Sequence, residues 1–129
     1  DKDSMYNTPP CWCIYMLGLV LQWLEGLGGV EGMEKIKGKK AALLYDCLDN
    51  SKLFTCAAEK GSRSDMNVTF RSVSEELDAK FVAEATAAGF TNLKGHRSVG
   101  GMRASIYNAM PVEGVEKLCD FIRAFDKAN

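Results

Sequence analysis

Apolar residues dominate the first part of the chain. From Cys11 to Leu24 nearly every residue is apolar, which is typical of a helix that is buried on most of its circumference. The run is shorter than the roughly 20 residues that a membrane span requires, because Gln22 and Glu25 interrupt it. The rest of so short a chain has too little surface to cover such a helix. We therefore expect another domain or subunit to lie against it, and no membrane.

The residues that flank this helix predict its ends. Pro9 and Pro10 suit the first turn of a helix, where a missing N–H costs nothing. Thr8 is of a type that caps helix N-termini through its side-chain oxygen. Gly26, followed by glycines at positions 28 and 29, predicts the end of the helix.

A second helix is predicted over Val30–Asn50, because its apolar residues recur at helical spacing. The residues of this stripe are Met33, Ile36, Leu43, Leu44, Cys47 and Leu48. Four lysines crowd the other side of the helix, and the pattern predicts a solvated face for all of them. They are Lys35, Lys37, Lys39 and Lys40.

Strand-like segments alternate with helices in the rest of the chain. The predicted strands are Leu53–Ala57, Met66–Arg71, Phe90–Leu93 and Met102–Tyr107. One helix is predicted from Ser74 to about Ala88 and another from Pro111 onwards. The residues expected to face inward from the last helix are Val115, Leu118, Cys119, Ile122 and Phe125.

The predicted element order is α-α-β-β-α-β-β-α. It favours an α+β fold, in which a small, mainly antiparallel sheet carries helices on one face. We expect two parts in the chain. Residues 1–29 form an extended segment and an interdomain helix, and residues 30–129 form a small domain.

The charge balance and the cysteines argue against several classes of protein. The 129 residues include 16 basic and 17 acidic side chains, so the basic excess of a nucleic-acid-binding protein is absent. The five cysteines are odd in number and irregularly spaced, which favours reduced thiols over a disulfide framework. Cys11 and Cys13 lack the second pair of ligands that a structural zinc site requires, so no metal is expected.

Candidate chemistry is concentrated between Lys94 and Ser105. This segment combines His96, Arg97 and Arg103 with three glycines, between two predicted strands. Guanidinium groups grip carboxylates and phosphates through paired hydrogen bonds, and glycine lets a backbone approach a ligand closely. The residue types alone leave two interpretations open: an anion-binding loop, or two surface arginines on a tight hairpin.

Three segments resemble the C-terminal part of phosphoserine aminotransferases, and the resemblance covers essentially all 129 residues in order. The segments are Ser4–Cys11 with Ile14-Tyr15 and Gly18–Val20 after it, Met66–Arg71, and Lys94–Met110 with its core GHRSVGGMRASIYNAM. The last segment is the most distinctive of that family. Trp12 and Cys13 stand where relatives often have Phe and Ser, a change that affects side-chain packing only.

The resemblance implies the C-terminal small domain of a fold-type-I, class V aminotransferase. Such enzymes are homodimers with active sites at the subunit interface, and pyridoxal phosphate is their electron sink and amino carrier. The family moves an amino group between glutamate and 3-phosphohydroxypyruvate, giving phosphoserine for serine biosynthesis. The implied partners are the large domain of the same enzyme and a second subunit. The implied location is the cytoplasm, or an organelle of a eukaryote.

Five residues acquire roles through this resemblance. His96 and Arg97 match the pair that binds the substrate phosphate, and Arg103 matches the arginine that grips the substrate α-carboxylate. Asn7 and Thr8 match a pair that reaches the cofactor phosphate of the neighbouring subunit. A substrate with two anionic ends needs separate cationic clamps, which orient the bond to be broken. We therefore expect Arg97 and Arg103 to project into one shared pocket.

The resemblance also implies that essential groups lie outside this sequence. The family's Schiff-base lysine, the aspartate that pairs with the pyridine nitrogen and the stacking aromatic ring all precede the segment that matches Asn7–Pro10. Lys39, Lys40 and Lys94 do not match the lysine motif. We therefore expect the chain by itself to be inactive as a transaminase. The alternative interpretation is a non-catalytic α+β domain that binds a partner or an anion.

Overall fold

The structure is a computed structural model that describes residue 3 and residues 5–129. The chain divides into two compact units, Asp1–Lys35 and Ile36–Asn129. Residues 1, 2 and 4 of the predicted extended segment lie outside the described residues. The interdomain role expected for residues 1–29 and the small domain expected for residues 30–129 stay predictions, because a division into compact units does not show what each unit contacts in a larger protein.

Helix α1 of the first unit covers Cys11–Gly26. Pro10 is its N-cap, and the Cys11 amide donates to the carbonyl oxygen of Pro9 at 2.8 Å. The prediction that both prolines form the first turn, with Thr8 as the cap, is therefore wrong. A proline disfavours helical backbone at the residue before it, so Pro10 keeps Pro9 outside the helix.

Helix α2 covers Gly29–Asp49 and confirms the predicted second helix to within one residue at each end. The predicted solvated face is confirmed for Lys35 and Lys39, which are exposed, but it is wrong for Lys40, whose side chain is 0% exposed. A lysine is buried only where its ammonium donors find acceptors. Here the acceptors are backbone carbonyls more than 60 residues further along the chain, which a helical pattern cannot reveal.

The apolar side chains of α1 are exposed all around the helix. None of its residues is buried, and Trp12, Leu17 and Trp23 are 71%, 57% and 41% exposed. The apolar circumference expected from the sequence is thus present, and the partner expected to cover it stays a prediction. No single described helix is long and apolar enough to cross a lipid bilayer, and α1 and α2 meet the requirements of length and composition only as a bent pair.

The second unit contains a three-stranded antiparallel sheet with the strand order β1-β2-β3. The strands are β1, Thr55–Cys56, β2, Asn67–Arg71, and β3, Met102–Ser105. Val68 and Phe70 of β2 and Met102 and Ala104 of β3 are buried in the core that the helices share. Successive side chains of a strand point to opposite faces. The helices of this unit therefore lie on one face of the sheet, which confirms the predicted α+β fold.

The other two helices of this unit begin close to their predicted positions. Helix α3 covers Glu75–Ala87, and its N-cap Ser74 accepts a hydrogen bond from the Leu77 amide at 3.3 Å. Helix α4 covers Val112–Ala128 and has Pro111 as its N-cap. All five residues predicted to face inward from α4 are buried. The predicted amphipathic pattern is therefore confirmed.

Four phenylalanines occupy the centre of the core. They are Phe54, Phe70, Phe81 and Phe125, each at most 4% exposed. The ring centroid of Phe81 in α3 lies between 4.9 and 5.9 Å from the other three, with edge-to-face geometry. Such pairs contribute about 0.5–1.5 kcal/mol each beyond the burial of apolar area. Aromatic contacts thus join the sheet to α3 and α4 within the second unit.

The predicted strand Phe90–Leu93 is absent, so this prediction is wrong. Asn92 has a φ of 60°, in the left-handed region, which interrupts an extended backbone. An isolated bridge between Lys94 and Met102 is the pairing that remains near the start of β3. The regular elements therefore follow the order α-α-β-β-α-β-α, and the segment before β3 is a loop.

Candidate functional site

The loop at residues 94–101 is a compact turn held by its own backbone. The amides of Val99 and Gly100 both donate to the carbonyl oxygen of His96, at 2.9 and 2.8 Å. The Gly95 amide donates to the carbonyl oxygen of Gly101 at 2.8 Å and closes the two ends of the loop. The turn therefore holds its exposed side chains at a defined position directly before β3.

Two glycines of this loop are required by close backbone approaches. A Cβ atom at Gly95 would lie 2.2 Å from the carbonyl oxygen of Gly100, and one at Gly101 would lie 2.7 Å from that of Phe70. Gly101 also has a φ of 63°, where other residues are strained. These glycines therefore allow the loop to close on itself and on β2.

A cleft of about 730 Å³ lies between this loop, the end of β2 and the start of α3. The basic residues that line it are Arg71, Lys94, His96 and Arg97. Its acidic lining residues are Glu75 and Asp78. A cleft in which basic groups converge raises the local concentration of anions, so a phosphate or a carboxylate is the kind of group it suits.

Ser98 orients the ring of His96 at this cleft. The Nδ1 atom of His96 lies 2.7 Å from the Ser98 hydroxyl and accepts from the Ser98 amide at 3.3 Å. Because Nδ1 accepts from an amide, the proton of the neutral ring is on Nε2. His96 can therefore offer an Nε2–H donor to an anion.

The carboxylate of Asp78 is engaged by the wall of the cleft. Its Oδ1 atom accepts from both the amide and the hydroxyl of Ser72, each at 2.7 Å. Ser72 is buried and joins β2 to α3, so these bonds fix the strand–helix connection. Within the described part of the chain, no ion pair links Asp78 to a basic residue of the cleft.

Arg103 does not line this cleft. It is exposed on β3 opposite Thr69, on the sheet face that points away from the core of the second unit. Its two neighbours in the strand are buried, so the alternation of side chains places it there. The structure therefore brings His96 and Arg97 together in one cleft, and it does not show the predicted pocket shared by Arg97 and Arg103.

Asn7 and Thr8 lie in the first unit, in the segment before α1. Both side chains are exposed. Since Thr8 does not cap α1, its hydroxyl is not used by the helix. The role of this pair toward a cofactor phosphate stays a prediction.

Arg71 is a basic residue of the cleft that the sequence did not indicate. It is the last residue of β2, and the pairing of Phe70 with Met102 places it opposite Gly101. Strand alternation predicts that Arg71 is exposed, but only the register of β2 and β3 puts it beside the loop. No local pattern could have supplied that register.

Residues 1–118 match the model of the aminotransferase class V family. The chain belongs to this family. Over its whole length it is 57% identical to the phosphoserine aminotransferase of Desulfotalea psychrophila and 56% identical to that of Listeria monocytogenes. It spans 36% of the length of each of these relatives. The resemblance to phosphoserine aminotransferases is thus confirmed for a chain that covers about a third of them.

Solved structures of such enzymes have the same fold as this aminotransferase chain. The phosphoserine aminotransferase of Bacillus circulans subsp. alkalophilus gives a TM-score of 0.93 at 50% identity, over 98% of this chain and 35% of that one. The phosphoserine aminotransferase of Trichomonas vaginalis with bound pyridoxal phosphate (PLP) gives a TM-score of 0.86 at 37% identity, over 95% of this chain and 35% of that one. These likenesses confirm the α+β fold.

Proposed function

We propose that this chain is the C-terminal portion of a phosphoserine aminotransferase. The complete protein would move an amino group between glutamate and 3-phosphohydroxypyruvate, with pyridoxal phosphate as its cofactor. The observation that supports this most directly is the cleft that contains His96 and Arg97. It occurs in a chain more than half identical to phosphoserine aminotransferases.

His96 and Arg97 bind the substrate phosphate in this proposal. The guanidinium of Arg97 supplies paired donors with a permanent positive charge, which suits a phosphate dianion. His96 adds an Nε2–H donor that Ser98 keeps in place. Hydrogen bonds to charged groups contribute about 1.5–3 kcal/mol each, so this pair provides much of the preference for a phosphorylated substrate.

Arg103 binds the substrate α-carboxylate in this proposal. Its position on the open face of β3 is separate from the cleft, so the described residues do not by themselves form the pocket expected for both arginines. The large domain and a second subunit would complete the pocket between the two clamps. Holding both anionic ends fixes the orientation of the reacting bond.

The residues present fit the phosphate of the cofactor but not its covalent attachment. Asn7 and Thr8 offer exposed amide and hydroxyl groups of the kind that bind a phosphate. Burial lowers the pKa of Lys40, as an amine nucleophile needs, but its Nζ atom is surrounded by carbonyl oxygens. Pyridoxal phosphate supplies an electron sink, and the lysine that holds it would come from the remainder of the complete protein.

The exposed apolar side chains of α1 support the two proposed partners. An exposed apolar surface of this kind marks a protein–protein contact. The large domain of the same protein and a second copy in a homodimer are the partners proposed here. We propose a cytoplasmic location for the assembly.

The proposal is tested by replacing Arg97→Gln in the complete protein. We expect kcat/KM for phosphoserine to fall about 10–100-fold, because the substitution removes one or two hydrogen bonds to the charged phosphate. The value for serine, which lacks the phosphate, should change little. The measurement is a steady-state assay of transamination with 2-oxoglutarate and each amino acid.

Arg123→Gln is the matched control, because Arg123 is exposed on α4 and pairs only with Asp120 among the described residues. Its kinetics should equal those of the unmodified protein. Equal losses for phosphoserine and serine in Arg97→Gln would contradict the phosphate role. Phosphoserine binding without transamination by the complete protein would favour the non-catalytic, anion-binding alternative.

A further inference from the structure

The ammonium group of Lys40 lies at the centre of a turn formed by a distant part of the chain. Its Nζ atom is 3.1 Å from the carbonyl oxygen of Ile106 and 2.7 Å from that of Tyr107. The carbonyl oxygens of Asn108 and Met110 lie at 3.1 and 2.9 Å. The whole side chain is 0% exposed. Four carbonyl groups of one short segment therefore point at a single cation.

These contacts account for all the hydrogen-bonding capacity of the group. An ammonium has three N–H donors and no acceptor, so four carbonyl oxygens are more than enough to satisfy it. Among residues 3 and 5–129, no ion pair involves Lys40. A buried charge is costly unless hydrogen bonds replace its hydration. The turn therefore takes the place of water around the ammonium.

The turn also depends on the ammonium. It joins the end of β3 at Ser105 to the start of α4 at Val112. Within it, the Ile106 amide donates to the carbonyl oxygen of Met66 and the Met110 amide to that of Tyr107, each at 3.0 Å. Without Lys40, the four inward carbonyl dipoles would repel one another, and that of Tyr107 would keep only the Met110 amide as its donor among the described residues.

We propose that Lys40 is a positioning residue, whose ammonium acts as an internal cation that organises the 106–110 turn and thereby fixes the placement of Arg103. The role given to Arg103 rests on the proposed function. Arg103 lies on β3, three residues before Ile106 in the turn. Its own amide donates to the carbonyl oxygen of Leu93 at 2.7 Å. β3 is thus held along its length by β2, near its start also by Leu93, and directly after its end by Lys40.

Lys40→Met in the complete protein tests the positive charge, because methionine keeps most of the aliphatic stem. We expect amide hydrogen exchange of residues 106–110 to become about 10-fold or more faster, while β2 keeps its protection. We also expect kcat/KM for phosphoserine to fall about 10–100-fold, mostly through KM, because a small misplacement of a clamp costs that much. Lys39→Met, an exposed neighbour on α2, is the matched control and should behave as the unmodified protein.

A second variant separates the cation from the stem. Lys40→Ala removes the equivalent of propylammonium, so added propylammonium should restore the exchange protection and KM, and propanol should not. The measurements with propylammonium and propanol also test the proposal if Lys40→Met does not fold. Restoration by propylammonium alone supports the proposal. Restoration by both compounds, or by neither, overturns it.

Unchanged exchange at residues 106–110 together with an unchanged KM in Lys40→Met would also overturn the proposal. The exchange measurement does not require turnover. If the unmodified protein fails to transaminate phosphoserine, the proposed function is wrong. The exchange and propylammonium results then still decide whether Lys40 organises the turn.

Discussion

Lys40 and Asp126, like Asp78, are charged side chains of the second unit that bind backbone groups rather than opposite charges. Lys40 binds carbonyl oxygens of the turn after β3. Asp126 of α4 accepts from the amides of Lys52 and Leu53 and from the hydroxyl of Ser51. In both cases a residue on a helix fixes a connection that has few hydrogen bonds of its own. Individual charges therefore determine the shape of the loops around the core.

Asp126 should make the stability of the chain depend on pH in acid. Burial acts to raise the pKa of Asp126, but hydrogen bonds from Lys52, Ser51 and Leu53 outweigh it, so the pKa is lowered. An unfolded aspartate titrates near pH 3.9. The stabilisation is therefore present above about pH 4 and is lost as the pH falls through the lower pKa of the folded state.

Urea unfolding of the chain between pH 7 and pH 2 measures this effect. We expect Asp126→Asn to lower the free energy of unfolding at pH 7 and to flatten its decrease in acid. Asp120→Asn is the control, because Asp120 is exposed and forms only the surface pair with Arg123 among the described residues. Parallel pH curves for Asp126→Asn and the unmodified chain would contradict the assignment.

Gly101→Ala should destabilise the folded chain by about 1–3 kcal/mol, the cost of a strained backbone conformation. The new Cβ atom would also lie 2.7 Å from the carbonyl oxygen of Phe70. Gly61→Ala is the control, because a Cβ atom there meets nothing within 4 Å. The midpoint of urea unfolding reports the difference. Equal midpoints for the two variants would show that the loop accommodates the methyl group.

At the scale of elements, α1 and α4 show two uses of apolar residues. In α4 the apolar residues form one stripe, and that stripe is buried against the core. In α1 they surround the helix, and none is buried. A helix that is apolar on all sides is normally buried against another element. We therefore expect a partner domain or subunit to contact α1.

The chain by itself should self-associate through α1. We expect sedimentation velocity to show dimers or larger species of the unmodified chain. At the same concentration, Leu17→Glu should contain more monomer, because a buried charge disfavours an apolar contact. Val73→Glu is the matched control, since Val73 is an exposed apolar residue outside α1. A strictly monomeric unmodified chain at high concentration would contradict the prediction.

At the scale of the whole molecule, the chain contains some parts of the proposed active site and not others. It spans 36% of the length of the relatives it matches. His96 and Arg97 are together in one cleft, while Arg103 lies on a separate surface of the sheet. The proposed pocket therefore needs surfaces beyond these 129 residues to bring the two clamps to one substrate.

The 129-residue chain alone should not transaminate. When it is mixed with pyridoxal phosphate, glutamate and 3-phosphohydroxypyruvate, we expect no 2-oxoglutarate above the rate of the free cofactor. The complete protein, prepared and assayed in parallel, is the positive control. Turnover by the chain alone, lost on substitution of one of its lysines, would refute the expectation.

Helices α2, α3 and α4 were predictable because their signals are local. Capping residues such as Ser74 and the spacing of apolar residues act within a few positions of one another. The start of α1 and the segment Phe90–Leu93 were not predicted correctly. Pro10 keeps the residue before it out of the helix, and Asn92 has a left-handed backbone conformation. Each of these single residues overrides the apolar pattern of its segment.

The sequence by itself determined the helices, the α+β class and the segment that contains His96, Arg97 and Arg103. Only the tertiary structure decided that Arg97 lines a cleft with Arg71, that Arg103 lies outside it, and that Lys40 is buried. The physical reason is the range of the interactions involved. Helix and strand patterns depend on neighbours in the chain, whereas the surroundings of a side chain depend on strand register and on contacts between residues more than 60 positions apart.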